Sequence, residues 1–80
     1  MRAFNWLINR HPPAISHDQA IALAHQECIR RAWTWLEPID ITHRFGVWYI
    51  RTNAGKRGAS AIIHIDQTTG QIKHAGYIAR

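Results

Sequence analysis

Eighty residues with a formal net charge of +5 at pH 7 make one domain, spanning 1–80, with no room for a second core. At 46% hydrophobic and 19% charged, with four Trp, the composition is that of a globular chain and excludes a disordered one. The ten Lys and Arg are scattered instead of clustered, so the charge reads first as a solubility device. An acidic protein surface, nucleic acid or an anionic membrane comes second.

Residues 3–9 offer Phe4, Trp6, Leu7 and Ile8 as a turn or two of apolar helix, within an N-terminal arm of 1–14. This apolar run is too short for a signal sequence, and no stretch approaches the roughly 20 apolar residues that cross a bilayer. The single Cys28 excludes an internal disulfide. These features set the expectation of a cytoplasmic protein with no membrane association.

Pro12-Pro13 stops the arm, because the residue before a proline avoids the helical region. Ser16 and Gln19 then have capping-box spacing, and Ile15 with Ala20 fits a hydrophobic staple. The spacing predicts an amphipathic helix over about 17–33, within a helical unit of 16–36 that Pro38 closes. Ile21, Ala24, Cys28, Ala32 and Trp35 share its apolar stripe, with Glu27 on the opposite side in reach of Arg31. Trp33-Thr34-Trp35-Leu36 also reads as extended, which leaves the end of the helix open.

The remainder, 39–78, reads as antiparallel sheet. Ile39-Asp40-Ile41 alternates as a short strand or lead-in, Gly46 marks a bend or bulge, and Val47–Thr52 is a strand. Asn53–Gly58 is a basic loop. A hairpin follows over about 59–66 and 71–78, its loop closed by the Asp66 carboxylate and by Gly70 at positive φ. The fold class is therefore α+β: one main N-terminal helix on a three- to four-stranded antiparallel meander.

A regular ladder that pairs Ile65 with Ile72 and Ile63 with His74 puts the isoleucines on the helix side, with Trp48 and Ile50. The other face then carries Val47, Tyr49, Ile62 and Tyr77. That face is too apolar to stay bare, and the arm with Phe4 and Trp6, or a partner chain, would cover it.

Gly46-x-Trp48-x-Ile50 followed by Ile63-x-Ile65-Asp66-x-x-Thr69-Gly70-x-Ile72 resembles a PepSY-type domain, over roughly residues 15–78. Small cystatin-like bacterial immunity modules are similar in the same respects. The resemblance implies a binding or inhibitory module acting on a protease or toxin, with no shared catalytic residues to transfer.

Chemistry-bearing residues are plentiful but unassembled. The six histidines lack zinc spacing, and the regular ladder puts His64 and His74 on opposite faces. His25 and His74 read as half-packed, hydrogen-bonded boundary residues. Cys28 lies on the apolar stripe, and the five carboxylates form no acid–base pair. The expectation is a non-enzymatic protein-binding module, possessing no catalytic or metal site and no cofactor, with inhibition or immunity as its role. Its binding residues are Arg44, Tyr49, Arg51, Lys56, Arg57 and Tyr77, and its partner is another protein or, through the second sheet face, a second copy. The alternative is a small basic nucleic-acid-binding protein, in which Asn53–Gly58 cradles phosphate beside aromatic neighbours.

Overall fold

A computed structural model describes residues 15–79. One helix, α1 (His17–Arg30), precedes four strands, β1 (Asp40–Arg44), β2 (Val47–Arg51), β3 (Ser60–Asp66) and β4 (Ile72–Ile78). They form one antiparallel sheet in the order β1-β2-β3-β4. The α+β architecture is as expected. The anticipated cover by Phe4 and Trp6 lies outside the described residues.

The helix starts where the capping box places it. The Ser16 hydroxyl accepts from the Gln19 N–H at 3.2 Å, and the Gln19 side chain accepts from the Ser16 N–H at 2.9 Å. It ends three residues earlier than expected, at Arg30. The Trp33 N–H reaches the Cys28 carbonyl at 2.8 Å and the Ala32 N–H reaches Ile29 at 3.1 Å. This is a Schellman closure, with Ala32 at φ 61 in the position that usually holds glycine. The chain beyond it folds back. Trp33 stacks on Tyr77 at 5.3 Å, Trp35 stacks on His25 at 4.5 Å, and the Leu36 and Pro38 carbonyls accept from the Asn53 and Ala54 N–H groups.

Early termination changes the buried stripe. Ala32 and Trp35 leave the helix, and the face against the sheet is Ala20, Ala24 and Cys28, all fully buried, with Leu23 beside them. These small side chains let α1 lie close over Ile50, Ala61, Ile63 and Ile65. Glu27, expected at the solvent side, is instead buried at the edge of this contact, 8% exposed. It survives there because Arg30 and Arg31 both donate to its carboxylate. Hydrogen bonds from Arg30 and then Arg31 hold its carboxyl at about 2, against the opposing pull of burial.

The sheet departs from the regular ladder at one point. Ile65 pairs with Ile72 as expected, but His64 pairs with His74 and Ile63 with Ala75. Lys73 is the extra residue of a β-bulge, and it reverses the facing of every β4 residue after it. Two expectations fall together. His64 and His74 share the outer face, and Tyr77 turns inward against the core, opposite Ala61.

The β3–β4 loop also anchors the start of the helix. The Ile15 N–H donates to the Gln67 carbonyl at 3.0 Å, and the Trp48 indole donates to the Ile15 carbonyl at 3.0 Å. A Cβ on Gly70, at φ 79, would meet Ile15 Cδ1 at 3.0 Å, so this position needs glycine for both conformation and space. The Asp66 carboxylate accepts from the Thr68 and Thr69 N–H groups at 2.8 and 3.0 Å, as the turn reading predicts. Those two bonds hold its carboxyl below the usual range.

Candidate functional site

The helix covers one face of the sheet, and among the described residues no element lies over the other. Alternation fixes what that outer face presents: Asp40, Thr42 and Arg44 from β1, Val47, Tyr49 and Arg51 from β2, Ile62 and His64 from β3, His74 and Ile78 from β4. Val47, Tyr49, Ile62 and His64 are half-buried by their neighbours, and the charged side chains stand clear of them.

Across the strands these residues form matched rows. Thr42, Tyr49, His64 and His74 make one, and Asp40, Arg51, Ile62 and Gly76 the next. Gly76 carries no side chain, so the second row is lower at its β4 end. A depression of about 250 Å³ lies over Asp40, Thr42, Tyr49, Arg51, Ile62 and His64. The Tyr49 ring meets His64 edge-on at 4.5 Å, and the His64 and His74 rings are 5.0 Å apart. Burial, and then the neighbouring His74, lower the His64 pKa from 6.5. Both effects favour the neutral ring.

The loop between β2 and β3 borders this face. Its shape comes from Asn53, buried at φ 52, whose amide donates to the Arg57 and Ala59 carbonyls at 2.9 and 3.1 Å. The Thr52 hydroxyl accepts from the Ala61 N–H, and Ser60 donates to the Thr52 carbonyl. A built loop thus presents Lys56 and Arg57. Together with Arg51, Asn53, Gly58, Ser60 and Ile78 they line a second depression of about 160 Å³. Its polar side chains other than the cations are already engaged with the backbone, so it offers charge more than shaped recognition.

Arg51, Lys56 and Arg57 are therefore gathered, and Tyr49 lies one row away. Arg44 stands at the far end of β1, exposed, and lines neither depression. Tyr77 does not belong to this surface; it is packed under Trp33 on the helix side. His25 is exposed and stacked on Trp35 instead of half-packed, and His74 is exposed. The Cys28 thiol is fully buried, and burial pushes its pKa up, as in a core cysteine.

Reading the residues alone misses Phe45. It is 90% exposed at the tip of the β1–β2 hairpin, beside Arg44. Phe45 and Gly46 have φ 50 and 73, a type I′ turn in which asparagine ordinarily takes the first place. An exposed ring in a left-handed conformation costs local stability without any folded contact in return. The signal was present as an aromatic residue immediately before a turn glycine.

Among the described residues, no group of three or more His, Cys, Asp or Glu gathers as a metal cluster. No described helix is long and apolar enough to cross a membrane. Neither a protein family, nor a curated protein, nor a solved structure matches the chain.

Proposed function

We propose that this domain is a non-enzymatic binding module that engages the acidic surface of another protein through its outer sheet face and the adjoining basic loop. The observation that carries this reading is the company around Tyr49 and Ile62. An apolar, half-buried strip is rimmed by Arg44, Arg51, Lys56 and Arg57, and the Asp66 carboxylate is engaged with its own loop and Lys73. Asp40, opposite Arg51, is the remaining carboxylate of that face. Aromatic and arginine side chains around an apolar centre are the usual composition of a protein interface. The resemblance to PepSY-type and immunity modules adds a role to the contact, in which occupancy restrains the partner.

Charge argues for an acidic partner over a second copy. The gathered cations Arg51, Lys56 and Arg57 favour an acidic surface over a second copy of a chain with net charge +5. The isolated chain is expected to be monomeric in solution.

The test is affinity capture of a partner, its purification, and calorimetric titration at rising salt. Binding is expected to weaken with salt and to weaken further in the K56E/R57E double variant. Salt-independent binding, indifferent to that variant, contradicts the reading. Nucleic acid is the competing ligand, favoured by the Tyr49 and His64 rings set among arginines. Tight, steeply salt-dependent binding of short single-stranded DNA or RNA would replace the protein-binding reading.

A further inference from the structure

The β4 bulge does more than change facing. It puts two imidazoles directly opposite each other on adjacent antiparallel strands, His64 on β3 and His74 on β4. We propose that His64 and His74 form a two-histidine site for a divalent transition-metal ion of the copper and zinc class, completed by water. His64 also lines the depression of the proposed binding face, but the metal site needs no partner to test.

The geometry carries it. A metal–nitrogen distance of about 2.1 Å sets each ring centre about 3.2 Å from the ion, so two ligating rings at right or tetrahedral angles have centres about 4.5–5.2 Å apart. The His64 and His74 ring centres are 5.0 Å apart, with the planes inclined at 38°. The terminal torsions of both imidazoles are soft, so the rings can turn without moving the strands. The strand ladder already fixes both backbones, so little conformational freedom is lost on binding.

Space and access agree with this. His74 is exposed, and its Nε2 lies 3.4 Å from where a Cβ on Gly76 would stand. Gly76, opposite Ile62, carries no side chain to compete with the His74 ring for this space. The neighbouring Lys73 is directed to Asp66, 3.9 Å away, and not to the histidines. Imidazole nitrogen suits copper, zinc and nickel, whereas magnesium and calcium require oxygen ligands.

The experiment is calorimetric titration of the full metal-free chain with CuCl2 and ZnCl2 in separate runs, with MgCl2 as a control. One ion per chain is expected for copper and zinc, copper the tighter, and no binding of magnesium. H64Q and H74Q are each expected to weaken the binding about tenfold or more, because each removes half of the protein ligands. H17Q, H25Q and H43Q are expected to leave it unchanged. His74 is exposed, so H74Q keeps the test valid should H64Q disturb folding. Substoichiometric Cu2+ should broaden the NMR signals of His64, His74 and Gly76 before those of His25. Copper and zinc binding unchanged in H64Q/H74Q, no binding of either ion at millimolar concentration, or half an ion per chain would each overturn the site.

Discussion

His64 faces His74 across the β3–β4 ladder with ring centres 5.0 Å apart, on the side of the sheet away from the helix. Two imidazoles so placed resist simultaneous protonation, and His64 also loses hydration among its neighbours. Its pKa is lowered first by burial and second by His74. In the metal-free protein, the His64 ring resonance is therefore expected to titrate below the ordinary histidine value. H74Q should move that midpoint up but not fully back, since burial remains. A midpoint that H74Q leaves unchanged would mean the rings do not interact. The linked stability has a definite sign. With the folded pKa depressed, His64 favours the folded state above pH 6.5, and that contribution is lost as the pH falls through the folded value.

Glu27 supplies a second, separate pH dependence. Arg30 and Arg31 lower its pKa from 4.5 to about 2 in the folded chain. A depressed carboxyl stabilises the folded state above about pH 4.5, and that contribution drains away between there and pH 2. Thermal unfolding followed across this window should show a steeper acid loss in the wild-type chain than in E27Q. At neutral pH, E27Q should be the less stable protein, because a buried ion pair broken on one side leaves its partners uncompensated. Equal slopes would place Glu27 outside the ionic contact.

Ala32 closes the helix in a conformation that glycine takes without strain, at φ 61. A32G is expected to stabilise the domain by about 1 kcal/mol, raising Tm by roughly 4–8 °C for a chain of this size. A drop in Tm would show that the Ala32 methyl contributes packing that its exposed position does not suggest.

Phe45 is the complementary case at the other end of the sheet. F45N replaces an exposed ring at φ 50 with the residue that type I′ turns favour, and it should stabilise the fold by about 0.5–1 kcal/mol. Chemical denaturation reads this directly. Should F45N also weaken partner binding, the strained ring belongs to the contact surface, next to Arg44. Destabilisation by F45N would instead mean that the ring packs on the domain.

Much of this architecture is legible in local chemistry. Ser16 and Gln19 announce the helix start, Asp66 and Gly70 announce the last turn, and the alternation around Ile63 and Ile65 announces the core strand. The largest failure, in β4, has a clear physical origin. Register beyond a turn depends on regular pairing, and a bulge at Lys73 has no strong residue signature. That one extra residue moved Tyr77 from the proposed contact surface into the core and brought His74 onto the face of His64. The early helix end was hidden for a related reason. Alanine in a left-handed cap looks like a good helix former until the Trp33–Tyr77 stack shows what draws the chain away. Glu27 read as a solvated charge because its burial depends on two arginines closing over it. Of the candidate site, Arg44, Tyr49, Arg51, Lys56 and Arg57 remain where strand alternation and loop composition place them, at the open face and its border.

The outer face is the centre of the account, and the measurement that tests it most directly is a difference in affinity. The captured and purified partner is titrated with the wild-type chain, with Y49A/R51E, and with I29A, which truncates an exposed apolar side chain on the helix. Tyr49 and Arg51 should carry interface energy of the hot-spot kind, so Y49A/R51E should weaken binding at least about tenfold, more than 1.4 kcal/mol, while I29A changes it little. Binding that survives Y49A/R51E intact, or falls with I29A instead, would contradict the assignment of function to the open face of the sheet.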